Sequence, residues 1–246
     1  MCLHGLRTLF SRYFDRIRPD TNVGLILEFV SGILRLSTKY YIEPLRKKCI
    51  DILKRKIPTS SLTDMDAIFG TQVHRRVRYA EFSVDIRFSI VNLARETRVL
   101  ELLPFMFYLC ARLHTNVVLN GTSVAVLSWK DKAICLAGRG KLLRAQRTLS
   151  YAPFIDIKPS ASCKNHPTLC ASMIPRTIQT ELERLAFIDI FSLECCKRTI
   201  MASHVCAPCV KHAMLQHQEG RKQVWDMLPG IFQLGSWENI RDTQNK

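Results

Sequence analysis

The sequence lacks an apolar run long enough to cross a lipid bilayer. Its longest such run, Leu102 to Leu113, is interrupted by Pro104 and Arg112, and it falls short of the roughly 20 residues that a membrane-spanning helix needs. The start of the chain carries Arg7 and no apolar stretch that leads to a small-residue cleavage site, so no secretory signal peptide is predicted. We therefore expect a cytoplasmic or nuclear protein without a membrane partner.

Sequence patterns of common enzymes are missing as well. There is no Gly-x-Ser-x-Gly nucleophile elbow and no His-Glu-x-x-His metal motif. Gly138-Arg139-Gly140 lacks the third glycine and the preceding strand of a phosphate-binding loop, so we expect these glycines to weaken the middle of a helix instead. Neither an internal repeat nor a low-complexity tract is present. We predict a non-enzymatic protein with no catalytic and no cofactor-binding residues.

Positive charge is abundant and unevenly distributed along the chain, whose net charge is +15. Residues 1–150 hold twenty-five Lys and Arg against twelve Asp and Glu, a net +13, whereas residues 151–246 hold eleven against nine. Such an excess could attract nucleic acid or an acidic partner. We favour the alternative that the cations coat the outer faces of helices, since no nucleic-acid-binding motif accompanies them. Six cations that fall between apolar positions are Arg46, Lys47, Lys48, Lys54, Arg55 and Lys56.

Apolar residues recur at intervals of three and four along most of the chain, which predicts a mainly α-helical fold. From Val30 to Pro58 the pattern indicates two short helices around a tight corner. Pro44 suits the first turn of the second helix, and Pro58 ends it. The two stripes that we expect to be buried consist of Ile33, Leu34, Leu36 and Tyr40, and of Leu45, Cys49, Ile50, Ile52 and Leu53.

Several further elements follow from the same periodicity. A short β-hairpin is possible near residues 117–127, where β-branched residues flank Asn120-Gly121, although a helix suits part of this stretch equally well. We expect the segment around Trp225 and Trp237 to fold back over the helical core rather than to form an exposed patch. The other predicted helices run over Leu3–Ile17, Val23–Tyr40, Ile86–Ala94, Leu102–Leu113 (an antiparallel pair with the preceding one), Ala133–Leu149, Ile178–Ile200 and Met214–Met227.

Ten cysteines are many for 246 residues, and six of them lie between Cys163 and Cys209. Without a secretory signal we expect reduced thiols rather than disulfides. Cys206-Ala207-Pro208-Cys209 is the most distinctive motif, because two thiolates separated by two residues can reach one zinc ion. The nearest second pair has a wider spacing of six residues. The candidate zinc ligands are therefore Cys163, Cys170, Cys206 and Cys209, with His166, His204 or His212 as substitutes for one of them.

Two other interpretations of these cysteines stay open. The first, which we favour, is that they are buried thiols beside a turn, with Cys195 and Cys196 packing as small apolar residues on the preceding helix. The second is a thioredoxin-like redox pair, because a Cys-x-Pro-Cys arrangement ahead of a helix can lower the pKa of the first thiol. A thiol oxidoreductase would require a preceding strand in a βαβ unit, and residues 201–205 have a poor strand pattern.

The order of several segments resembles that of fungal, basidiomycete-type BTB/POZ domain-containing proteins. The resemblance implies that residues 1–60 are the closing helices of a BTB/POZ domain. Residues 61–150 would form a helical extension, and residues 151–246 a Cys-rich irregular segment with C-terminal helices. The segments that carry the resemblance are Ile33–Tyr40, Pro44–Arg46, Val91–Glu96, Leu102–Pro104, Cys206–Cys209 and Arg221–Pro229, followed by the tail near Trp237.

The resemblance implies a function in protein–protein interaction, as an adaptor or regulatory protein with a protein partner. Most of the N-terminal BTB core, with its small sheet and its dimer-forming face, would be missing from this chain. We therefore expect neither BTB-type homodimerisation nor docking to a cullin-type ubiquitin ligase. The alternatives are nucleic-acid or acidic-partner binding through residues 1–150 and a thiol oxidoreductase that uses Cys206 and Cys209.

Overall fold

The described part of the chain is mainly helical, with irregular stretches at residues 158–165 and 188–191. This computed structural model describes residues 21–69, 79–155, 158–165, 169–170, 188–191 and 205–244. No strand occurs in those ranges, which confirms the mainly α-helical prediction. A 3₁₀ turn (Leu100–Leu102) precedes the fifth helix, and a π-helical turn (Gln146–Ser150) follows the seventh. The helices are Val23–Lys39 (α1), Glu43–Lys54 (α2), Leu62–Phe69 (α3), Val84–Glu96 (α4), Leu103–Ala111 (α5), Thr115–Asn120 (α6), Trp129–Ala145 (α7), Ala152–Ile155 (α8), Ala207–Ile231 (α9) and Trp237–Gln244 (α10).

Helices α1 and α2 form the predicted helical pair. The Asn22 side chain caps α1 by accepting a hydrogen bond from the Gly24 N–H at 2.7 Å. Between the two helices Tyr41 has a φ of 54°, in the left-handed region, and the chain reverses there. Pro44 lies in the first turn of α2, which stops at Lys54, ahead of Pro58.

The predicted buried stripes agree with the structure on α2 and only in part on α1. Four of the five positions on α2 are buried. On α1, Leu34 is fully buried, but Leu36 and Tyr40 are 57% and 61% exposed. Leu36 lies two residues beyond Leu34, which places it on the opposite side of the helix because successive residues rotate by about 100°.

Helices α4 and α5 correspond to the second predicted pair. The Ser83 hydroxyl accepts a hydrogen bond from the Ile86 N–H at 3.4 Å at the start of α4. Pro104 lies in the first turn of α5, as predicted, and every residue of α5 is buried. Because α5 contacts α4, α7 and α9, it forms the centre of the described core.

The predicted β-hairpin near residues 117–127 is wrong. This stretch begins with α6, in which the N–H of Val118 donates to the His114 carbonyl at 3.2 Å and the N–H of Gly121 donates to the Val117 carbonyl at 2.9 Å. Gly121 ends the helix with a φ of 72°. The following loop is held by Thr122, whose hydroxyl donates to the Asp85 carboxylate. Local helical hydrogen bonds and an anchored loop thus replace the cross-strand pairs that the β-branched residues suggested.

Helix α7 continues unbroken through Gly138 and Gly140, which the sequence predicts as a weak point. A Cβ atom at Gly138 would lie 2.3 Å from Cε1 of Phe232, so the absent side chain makes room for a buried ring. That packing compensates for the low helix propensity of glycine.

Residues 188–191, inside the predicted Ile178–Ile200 helix, are irregular and end in a turn. The other residues of that predicted helix lie outside the described ranges. The Asp189 N–H donates to the Gln146 side chain at 2.9 Å, and the Tyr151 hydroxyl donates to the Asp189 carbonyl at 3.2 Å. The fully buried Arg221 donates to the Phe191 carbonyl at 2.8 Å. These polar contacts fix the turn against α9 and the π-helical turn.

One cluster of buried apolar side chains extends from Val23 to Trp237. Trp225 and Trp237 stack with ring centroids 5.4 Å apart, and the Trp237 indole N–H donates to the Trp225 carbonyl at 2.9 Å. The C-terminal segment therefore covers the core, as predicted. Among the described residues, no helix combines the length and the apolar character that crossing a membrane requires. The helix predicted over Leu3–Ile17 lies outside those residues.

Candidate metal centre

Two of the candidate cysteines lie at the start of the long helix α9. Cys206 immediately precedes the helix with extended backbone angles (φ −67°, ψ 151°), and Cys209 lies in the first turn. Pro208 occupies a position in that turn where a backbone N–H is not needed. The Cys-x-Pro-Cys motif thus places both thiols at one end of α9.

The other two cysteines precede α9 in the chain, and Cys163 lies in the irregular stretch of residues 158–165. Cys163 lies at a turn that its own N–H closes by donating to the Ser160 carbonyl at 2.9 Å, and Cys170 is fully buried. All four cysteines are free thiols. The Sγ atoms of Cys163, Cys170, Cys206 and Cys209 lie within 4.8 Å of one another. The fold therefore brings the four candidates into one cluster that could hold a metal ion such as zinc.

The separations between the sulfur atoms fit a single tetrahedral ion. The Sγ of Cys163 lies 3.7 Å from the Sγ of Cys170 and 3.7 Å from that of Cys206, and the Sγ atoms of Cys170 and Cys206 are 3.8 Å apart. Four sulfurs at the usual zinc–sulfur distance of about 2.3 Å form a tetrahedron with edges of about 3.8 Å. A disulfide bond is much shorter, at about 2.05 Å.

The cluster has a buried side and a side that faces solvent. Cys170 and Cys209 are buried, whereas Cys163 and Cys206 are partly exposed. The N–H of Ser160 donates to the Cys209 sulfur at 3.3 Å. Hydrogen bonds of this kind favour the thiolate form and orient metal ligands. The surroundings therefore suit a bound cation.

Apolar packing contributes little to holding the irregular segment beside α9. A small apolar cluster of Tyr151, Phe154 and Ala213 lies along the first turns of α9, with Val205 and Val210 packed against it. No residue of 158–165 belongs to this cluster or to the main core. The sulfur cluster is therefore a principal described contact between this segment and α9.

The thiols of the cluster differ in acidity. Interaction with the backbone N–H groups of Cys209 and then of Lys164 lowers the pKa of the Cys206 thiol to about 6. Desolvation raises the pKa of the Cys163 thiol to about 12, and desolvation also raises the pKa of the Cys209 thiol. Without a metal at neutral pH, Cys206 is thus largely a thiolate, and a metal ion would displace protons from Cys163 and Cys209.

The remaining candidates do not join this cluster among the described residues. His212 lies on α9 but is not part of the group of clustered side chains. The Ser160 N–H was not predicted, because a backbone donor has no signature in the sequence. The candidate substitutes His166 and His204 lie outside the described ranges, as do Cys195 and Cys196, which the sequence predicts to pack as small apolar residues.

The cations of α2 and its C-terminal end do not all coat an outer face. Lys56 is buried with its Nζ 3.8 Å from the Glu81 carboxylate, and the Lys54 Nζ lies 2.6 Å from that of Glu101. Some of the positive charge in residues 1–150 therefore stabilises the fold, while nucleic-acid binding stays a prediction. The exposed members of the predicted set are Lys47 and Arg55.

No family model, curated protein or solved structure matches this chain. The four-cysteine cluster and the surfaces of the described helices are therefore the observations from which a function can be argued. The sulfur cluster gives the most specific chemistry, because a ligand set made only of thiolates binds few kinds of metal.

Proposed function

We propose that this protein is a non-enzymatic interaction protein whose cysteine-rich segment is held by a structural zinc ion. The zinc assignment is carried by the four Sγ atoms that lie within 4.8 Å of one another. A closed set of four protein ligands is typical of structural zinc, whereas catalytic zinc keeps one position open. When bound, the ion would link Cys163 and Cys170 to the N-terminal end of α9.

Metal analysis of the reduced, folded protein tests the zinc assignment, and we expect one zinc ion per chain. Cys206→Ser should lower the zinc content well below one ion per chain, because a hydroxyl, which binds zinc poorly, replaces one of the four thiolates. Cys49→Ala is the matched control, since Cys49 is a buried thiol on α2 outside the cluster, and it should retain one zinc. Folded wild-type protein without zinc would refute the assignment. Stoichiometric iron would replace it with an iron–sulfur site, which also uses thiolates.

The interaction role is supported by the resemblance to BTB/POZ-type proteins and by the surface of the α1–α2 pair. We propose that α1 and α2 are the closing helices of a BTB-type domain. Near their corner Leu36, Tyr40 and Tyr41 are 57%, 61% and 85% exposed. Exposed apolar side chains in one region favour contact with another protein.

The transcript sequence upstream of the Met1 codon tests the BTB assignment. An in-frame segment with the small sheet and the dimer-forming helices of a BTB core would support it. Any other upstream sequence would leave α1 and α2 as an ordinary helical hairpin, and the interaction role would then depend on other surfaces.

A thiol oxidoreductase is the competing proposal, and the lowered pKa of Cys206 favours it. Its position ahead of α9 resembles that of a redox-active thiol, with Cys209 as the second thiol of the pair. Disulfide-reductase activity that disappears in Cys206→Ala would support this alternative. Activity that survives the substitution would eliminate it, as would an inactive wild-type protein.

A further inference from the structure

A groove with a volume of about 800 Å³ lies between α7, the π-helical turn and the C-terminal end of α9. Its lining includes Gly140 and Ala145 from α7 and Met227 and Ile231 from α9. A Cβ atom added at Gly140 would have no neighbour within 4 Å, and Met227 is 50% exposed. The groove is therefore open above these small and apolar residues.

The wall formed by α7 has the length of a short helix. Groove residues recur at helical spacing from Ala137 to Thr148, a distance of roughly 16 Å at 1.5 Å per residue. Small residues such as Gly140 and Gly230 allow close approach of another backbone. Helical peptides commonly bind in grooves of this kind, with apolar anchors at intervals of three and four residues. The shape thus favours a helical occupant.

The charges at the groove favour an acidic occupant. Lys141 and Arg144 are exposed on the α7 wall, and neither forms an ion pair with another described residue. Asp226 is the acidic residue of the opposite wall. Residues 1–150, which supply the α7 wall, carry +13 of the net charge of +15. Carboxylates on a partner would complement Lys141 and Arg144 and speed its association.

We propose that this groove binds an acidic amphipathic helix of a partner protein. The apolar face of that helix would lie on the half-exposed Met227, above the buried Ile231, and its carboxylates would face Lys141 and Arg144. This inference names the partner class of the interaction role and rests on that role. It does not involve the four cysteines, so zinc content and groove binding can fail independently.

Two synthetic helical peptides test the proposal, with leucines at intervals of three and four and either glutamate or lysine elsewhere. Fluorescence anisotropy with the reduced full chain, as purified, should show that the glutamate peptide binds at least about tenfold more tightly than the lysine peptide. Gly140→Leu should weaken the glutamate peptide by about tenfold or more, because the new side chain occupies the groove. Gly32→Leu is the matched control, since Gly32 is also a helical glycine with open space around it, and it should bind as the wild type does.

A second pair of variants separates the groove from general attraction to a basic protein. Lys141→Glu with Arg144→Glu should weaken binding by about tenfold or more, whereas Lys47→Glu with Arg55→Glu, which changes the net charge equally, should have a much smaller effect. The ¹³C-methyl signal of Met227 should shift on binding. Equal loss in both charge variants, unchanged binding in Gly140→Leu, or no binding would overturn the groove proposal. If the full chain were then cross-linked to a protein through a different surface, the interaction role would stand and only the groove proposal would be lost.

Discussion

At the scale of single residues, Gly138 and Gly140 show how two glycines on one helix have different consequences. Both lie on α7, two positions apart. Gly138 faces the buried ring of Phe232, and Gly140 faces open space. The sequence context does not distinguish them, because the difference depends on a ring from the C-terminal segment.

We predict opposite effects of alanine at these two positions. Gly138→Ala should lower the free energy of unfolding by about 1–3 kcal/mol, because the new methyl group would overlap Phe232 and force the core to shift. Gly140→Ala should raise it by about 0.5–1 kcal/mol through higher helix propensity. Urea denaturation measures both values. Equal changes in the two variants would show that the Phe232 ring does not occupy the space at Gly138.

The unequal acidity of the thiols predicts how zinc binding depends on pH. The pKa of Cys163 is raised to about 12 and that of Cys209 is also raised, so these thiols must lose protons when zinc binds. Zinc affinity should therefore fall as the pH falls, by about tenfold per pH unit for each proton released. Below about pH 6 the decline should steepen, because Cys206 becomes protonated as well. Competition with a chelator at several pH values measures the affinity, and a pH-independent affinity would contradict the assignment of these ligands.

The candidate ligands could be named from the sequence because six of the ten cysteines lie between Cys163 and Cys209 and the Cys206–Cys209 spacing is specific. Cys163 and Cys170 could be named only as the nearest remaining pair. Their approach to α9 depends on the path of a segment without periodicity, which no sequence pattern specifies. The same limit applies to the Ser160 N–H, whose contribution comes from backbone position alone.

At the scale of elements, strong periodicity predicted most of the described helices well, whereas the local β-branched runs near residues 117–127 wrongly predicted a hairpin. Helices α1 and α4 combine apolar spacing with a capping side chain, and α2 and α5 combine it with a proline in the first turn. The stretch around α6 has none of these supports, so β-branched residues suggested a hairpin that helical hydrogen bonds and Thr122 override. Residues 188–191, for which a helix was predicted, are not helical for a related reason. Polar contacts from Arg221, Gln146 and Tyr151 hold them in another conformation.

The irregular segment beside α9 should loosen selectively when the metal is removed. Residues 158–165 belong to no apolar cluster, so loss of the sulfur–metal bonds would leave few contacts to hold them. Hydrogen exchange after treatment with a chelator should increase in residues 158–165 and in the first turns of α9. Exchange in α5, which is buried throughout, should stay unchanged.

Cys206→Ser without chelator provides the matched comparison and should reproduce the same exchange pattern. Faster exchange across all helices would show instead that the site stabilises the entire fold. Unchanged exchange in residues 158–165 would show that the metal does not hold this segment.

At the scale of the whole molecule, periodicity shows which face of a helix is apolar but not which helices share a core. The resemblance described above implies segment boundaries after residues 60 and 150. One apolar cluster nevertheless includes side chains from all three segments, among them Val30, Phe105 and Trp225. A shared core favours cooperative unfolding, because no segment can unfold without exposing apolar surface of another segment to water.

The three tryptophans allow a test of this cooperativity. Trp129 is 76% exposed, whereas Trp225 and Trp237 are buried in the shared core. In Trp129→Phe the fluorescence therefore reports only on the C-terminal part of that core, while far-ultraviolet circular dichroism reports on all helices. We expect the two signals to change at the same urea concentration in zinc-loaded protein, because α5 links the N-terminal helices to α9. Two separate transitions would show that the segments on either side of residue 150 unfold independently despite the shared apolar cluster.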